Sequence, residues 1–130
     1  MTIKWRKEQL DAINHNSGNL LISAGAGSGK TAVLTNRVIH LLKKGVSLDN
    51  ILVLTFTKAA AYEMKKRIFK LISKDEALKE QLHKVDSSYI TTFDSFALSV
   101  IKKYHYLINV EKDISPTSSH LIMIEKRKII

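Results

Sequence analysis

LLISAGAGSGKT, residues 20–31, is the stretch from which the fold is read. An apolar run at Leu20, Leu21 and Ile22 passes into a loop of small residues, and Lys30 and Thr31 then open a helical pattern. The loop itself is Ala24, Gly25, Ala26, Gly27, Ser28 and Gly29. Backbone this unhindered can curl around an anion with successive N–H groups pointing inward. The helix behind it adds unpaired amide donors and the positive end of its dipole. Lys30 supplies a point charge for β- and γ-phosphates, and the Thr31 hydroxyl is placed to ligate Mg²⁺. Ala24 stands where a P-loop usually has Gly, a departure that a negative φ tolerates. Strand before, helix after and the spacing between predict a triphosphate site rather than a turn that happens to precede a lysine.

Working outward, residues 19–23 read as a first strand and 30–44 as a helix. Val33, Leu34, Val38, Leu41 and Leu42 form the buried stripe of that helix, and Gly45 closes it. Residues 51–56 (ILVLTF) are continuously apolar and β-rich, which predicts a strand covered on both faces in a parallel sheet. A helix over 58–73 buries Ala61, Met64, Ile68, Leu71 and Ile72 and presents Lys58, Lys65, Lys66 and Lys70. Asp75 caps a shorter helix at 76–84, residues 88–92 read as a third strand, and 93–104 as a further helix. Upstream, 5–14 is a short helix ended by the turn-forming run NHNSGN. A last amphipathic pattern begins at Ser118.

Strands alternating with helices give an α/β fold, a parallel sheet flanked by helices with right-handed crossovers. Short connections predict one domain over residues 1–130. The final helical pattern stops uncapped at Ile129 and Ile130, so the expectation is a partial domain, the N-terminal piece of a larger protein.

Composition narrows the partners. The 130 residues suffice for one core, and no apolar run approaches the ~18 residues of a membrane span. Without cysteine there are no disulfides or thiolate metal sites, which fits a cytoplasmic protein. The first residues carry no signal peptide. A formal charge of +9 points to a polyanion, of which nucleic acid is the commonest. His15, His40, His83, His105 and His120 lack metal-ligand spacing.

Hydrolysis needs a carboxylate to hold Mg²⁺ through the metal's shell and a group to orient water. The usual source is an apolar strand ending in Asp. Residues 89–94 (YITTFD) and 121–125 (LIMIE) imitate it, the first with two Thr inside it and the second within a helical pattern. Arg6, Arg37, Arg67 and Arg127 have no distinctive setting. The chain reads as able to bind nucleotide and unable to turn it over. The Lys-rich face after Phe56 reads toward DNA, because a ring beside basic residues is the arrangement that stacks single-stranded bases.

These motifs together resemble the UvrD/Rep-type superfamily 1 DNA helicases, in the first RecA-like domain. Residues 5–13 (WRKEQLDAI) are similar to the helicase Q-motif, whose glutamine pairs with adenine, a role that falls on Gln9. Residues 55–64 (TFTKAAAYEM) resemble motif Ia, which lines the single-strand track. Thr55, Phe56, Thr57, Ala60, Ala61, Glu63 and Met64 match it, while Lys58 replaces Asn and Ala59 replaces Lys. Residues 92–97 (TFDSFA) resemble motif Ib, with Asp94 for His and Ala97 for Cys. An acid there would repel phosphate. The runs GKTAVLTNRVI and SFALSVIKKYHYLI are most similar to the AddA-type chain of the bacterial helicase–nuclease that processes double-strand breaks.

The resemblance implies an ATP-dependent DNA helicase with ATP and Mg²⁺ as cofactors. It places the nucleotide at Gln9, Ala24, Gly25, Ala26, Gly27, Ser28, Gly29, Lys30 and Thr31, the metal at Thr31, and DNA at Thr55, Phe56, Thr57, Lys58, Thr92 and Phe93. The implied partners are single-stranded DNA, duplex ends and a second subunit of AddB type. The Asp-Glu box, second motor domain and exonuclease would lie elsewhere in the parent. A stand-alone nucleotide-binding switch is the competing reading. A small-molecule kinase would need an acceptor-site carboxylate and lid arginines that this chain does not show.

Overall fold

The computed structural model describes residues 4–114. The pattern from Ser118, and with it residues 121–125, lies outside them. The chain divides into two compact units, Met1–Thr92 and Phe93–Ile130.

In the first unit the elements run α1 (Lys7–Asn14), α2 (Lys30–Lys43), β1 (Leu52–Thr55), α3 (Lys58–Ile72) and β2 (Tyr89–Thr92). Short 3₁₀ segments occupy Leu48–Asn50 and Glu76–Lys84. β1 and β2 pair in parallel, with Val53 opposite Ile90 and Thr55 opposite Thr92. Such a pair requires a crossover, and α3 supplies it. Thr57 starts α3 by accepting the Ala60 N–H on its side chain at 3.1 Å. Gly45, at φ +87°, closes the turn after α2 in the left-handed region that glycine enters without strain.

Packing follows the apolar stripes. Val38 and Leu42 of α2 and Met64, Ile68 and Ile72 of α3 meet Val53 and Ile90 from the sheet. Leu48, Leu78 and Val85 close this core, with Leu48 and Ile68 wholly buried. A second, smaller cluster of Ala12, Ile13 and Val33, with Trp5 against it, holds α1 to α2. Arg37 reinforces that contact by donating from Nη1 to the Ile13 carbonyl at 2.9 Å.

Three expectations are corrected. Residues 19–23 form no strand: Leu21 is 94% exposed and the sheet of described residues has two strands. A strand exists only by hydrogen bonding to a neighbour, and these residues pair with neither described strand. The strand at 51–56 is covered on one face only, since Leu52 and Leu54 alternate outward with Val53 inward. Residues 76–84 wind as a 3₁₀ helix, in which the Asp75 cap nevertheless accepts the Ala77 N–H at 3.2 Å.

The second unit, taken by itself, contains α4 (Phe93–Tyr104) and a 3₁₀ turn at His105–Leu107. None of the residues of α4 is fully buried.

Candidate nucleotide-binding site

The loop between Ser23 and α2 has the conformation its composition permits. Gly27 and Gly29 have φ of +72° and +86°, where a β-carbon would be strained. Ala24 does not: among the described residues Asn109 is the one non-glycine with positive φ. An alanine at the loop's first position is therefore compatible with its shape. Ser28 N–H reaches the Gly25 carbonyl at 3.4 Å, closing the turn. Gly29 is the N-cap of α2 and offers no side-chain cap, and the first turn of α2 contains no acid. The loop thus feeds directly into an uncapped helix start of positive potential.

Lys30 folds back across this loop. Its Nζ donates to the Ala24 carbonyl at 2.6 Å and to the Gly25 carbonyl at 2.8 Å. Both acceptors are neutral, and hydrogen bonds between two charged partners are stronger still. An anionic oxygen at the loop would therefore draw the ammonium from the carbonyls. Thr31 is exposed in the first turn of α2, beside Lys30.

Gln9 reaches the same loop from α1. Its Oε1 accepts the Arg6 N–H at 2.9 Å, capping α1, and its Nε2 donates to the Ser28 carbonyl at 3.0 Å. An amide has two N–H donors and two acceptor lone pairs, so one of each is left after these two bonds. That remaining pair is what a purine edge with adjacent donor and acceptor requires.

A cavity of about 650 Å³ joins these groups. Ala12, Leu20, Ile22, Val33 and Leu34 give it apolar walls, and Arg6, Glu8, Gln9, Lys30 and Arg37 put charge and hydrogen-bonding capacity on its lining. Apolar walls with a few placed polar groups are the usual composition of a small-molecule site. Arg37 and Glu8 carried no local motif. Arg37 lies about two turns along α2 from Lys30, and only its bond to Ile13 reveals that it fixes α1.

The residues expected at DNA separate into three groups. Phe56, Thr57 and Lys58 are exposed where β1 passes into α3, and among the described residues nothing covers the Phe56 ring. Thr55 is half-buried and donates from Oγ1 to the Thr57 carbonyl at 3.0 Å, which shapes the turn. Thr92, at the end of β2, is only 8% exposed and presents little side-chain surface. Phe93, opening α4, is exposed. Asp94 lies in the first turn of α4 rather than at a strand end, so YITTFD does not place a carboxylate as a strand-terminal metal ligand would be placed. Among the described residues no three His, Asp or Glu side chains are grouped to hold a metal.

A glycine-rich loop running into a helix start, with a lysine spanning the loop and a glutamine tethered to it, is the arrangement that suits a nucleotide's phosphates. The UvrD/REP helicase N-terminal domain family matches residues 5–130, and the chain belongs to that family. An ATP-dependent helicase/nuclease subunit from Lactobacillus johnsonii is 44% identical over 119 residues, covering 86% of this chain and 10% of that protein. The protein of the same description from Clostridium perfringens is 47% identical over 121 residues, 85% of this chain and 10% of its own. That from Heliobacterium modesticaldum is 42% identical over 115 residues, 83% and 8%. The chain spans about a tenth of the length of the curated relatives it matches.

Proposed function

We propose that this chain is the ATP-gripping and single-strand-contacting part of an ATP-dependent DNA helicase, within a helicase–nuclease that acts in double-strand-break repair. The observation that carries the reading is the placement of Lys30 and Gln9 on one cavity, with Gln9 bonded to the loop that Lys30 spans. The loop amides and Lys30 hold the phosphates, and the free donor and acceptor of Gln9 read the adenine edge. Thr31 is the residue that would hold Mg²⁺, whose charge offsets that of the β- and γ-phosphates.

The exposed apolar run at Leu20, Leu21 and Ile22 and the exposed sheet face at Leu52, Leu54 and Tyr89 support a domain completed by further strands and helices, as a RecA-like sheet would be. The catalytic carboxylates, the second motor domain and a nuclease belong to the rest of that parent. Its partner is of AddB type and its location the cytoplasm. Phe56, Thr57 and Lys58 contact the single strand, Phe56 by stacking.

Titration with a fluorescent ATP analogue tests the nucleotide half. Binding should weaken about tenfold or more in Lys30→Ala, the scale of one strong charge-assisted contact. No ATP turnover should be seen with or without single-stranded DNA. Turnover abolished by Lys30→Ala would place a catalytic carboxylate inside the chain and overturn this division of labour.

A further inference from the structure

The outer face of α3 carries a feature that the nucleotide site leaves unused. Tyr62, Lys66 and Phe69 follow one another at helical spacing, so they lie on one stripe. Tyr62 is 61% exposed and Phe69 is 50% exposed, although both are large rings. Lys66 Nζ stands 5.1 Å from the centre of the Tyr62 ring. Lys58 and Lys70 flank the stripe. The one acid of α3, Glu63, stands three residues before Lys66 and seven before Lys70, beside the lysines of the stripe, and Lys65 donates to the Asp86 carbonyl at 2.7 Å. The stripe is thus aromatic and cationic, with Lys58, Lys66 and Lys70 outnumbering the one carboxylate beside them. Its N-terminal end begins beside Phe56, and Tyr62 and Phe69 are about 10 Å apart along the axis.

Two exposed rings alternating with amines match one occupant by charge and shape: a chain of phosphates bearing unpaired bases. We infer that the stripe Tyr62–Lys66–Phe69, flanked by Lys58 and Lys70, is a second stacking platform that extends the single-strand contact from Phe56 along α3. Tyr62 and Phe69 stack bases, and Lys66 moves from the Tyr62 ring to a phosphate when the strand arrives. This deepens the proposed function and rests on its reading of Phe56 as a DNA contact.

The test is fluorescence anisotropy of the whole 130-residue chain with a fluorescein-labelled oligo-dT, over a series of salt concentrations. Tyr62→Ala/Phe69→Ala should weaken binding about tenfold or more at unchanged salt dependence, since stacking is lost and charge is not. Lys66→Gln/Lys70→Gln should lower the slope of log affinity against log salt by about 1.4, the share of two phosphates on a single strand. All four residues are exposed, so an unchanged melting temperature verifies that each variant is folded. Affinity that falls in Phe56→Ala but not in either double variant overturns the stripe and leaves the Phe56 reading standing; a protein-docking face is then what remains. Affinity that falls in the double variants but not in Phe56→Ala overturns the Phe56 reading instead. No binding by the unaltered chain overturns both, and equal binding of a blunt duplex overturns the stacking.

Discussion

Gln9 donates its side-chain amide to the backbone carbonyl of Ser28 at 3.0 Å, tying the start of α1 to the glycine-rich loop across a sequence separation of 19 residues. The same side chain caps its own helix through the Arg6 N–H. One residue therefore sets the loop's position and holds the hydrogen-bonding groups that face the cavity. Replacing Gln9 by Ala removes both bonds and should cost about 1–2 kcal/mol, as the loss of a cap and a tether does. Urea unfolding measures that cost. In the same variant, preference for ADP over GDP should disappear. Gln9→Glu keeps the acceptor for Arg6 and loses the donor to Ser28, so it should retain helix capping while losing adenine preference.

Gly29 and Gly25 make a paired test of the loop. A β-carbon at Gly29 would sit in the left-handed region at φ +86° and 3.2 Å from Gln9 Nε2. Gly29→Ala should destabilise by about 1–2 kcal/mol and loosen the Gln9 tether. At Gly25 a β-carbon meets nothing within 4 Å and φ is not positive. Gly25→Ala should leave the urea midpoint unchanged. Equal losses in the two variants would mean that backbone conformation does not set the loop's shape.

The helices are legible because their signals are local. The apolar stripe of α3, its Thr57 cap and the glycine after α2 each act within one turn, and the elements lie where those residues predict. The run at 19–23 misleads for the opposite reason. Its apolar residues satisfy strand propensity, but pairing depends on a neighbour that sequence spacing does not reveal. The run at 51–56 likewise predicts cover on both faces, and packing supplies it on one. At 76–84, nine residues of apolar periodicity separate helix from strand but not a 3.6-residue turn from a 3.0-residue one. In the site, Lys30 is legible from loop spacing, whereas the places of Arg37 and Glu8 on the cavity arise only when α1 packs on α2.

His40 gives the fold a pH dependence. Burial, then the charges of Lys44 and Arg37, push its pKa below the ordinary histidine value. Its Nε2 is shut off from solvent without a partner among the described residues. The folded ring therefore resists a proton that the unfolded chain accepts. Stability should decline as pH falls through about 6.5 and level off once the folded pKa is passed. Melting temperatures across that range should fall less steeply in His40→Gln. An identical slope would assign the effect to other groups.

Ile68 is wholly buried between α3 and the sheet. Ile68→Ala should cost about 2–5 kcal/mol through lost burial and the cavity left behind. In contrast, Tyr62→Ala on the outer face of the same helix should change the urea midpoint little.

The most direct measurement of the account is residue-resolved: amide chemical shifts of the chain titrated with Mg²⁺ and ATP. The amides from Gly25 to Thr31 and the Gln9 side-chain amide should shift together and saturably, and Lys30→Ala should move the midpoint to about tenfold higher ATP or more. Saturating ATP that leaves those resonances in place, or a midpoint unchanged in Lys30→Ala, would contradict it.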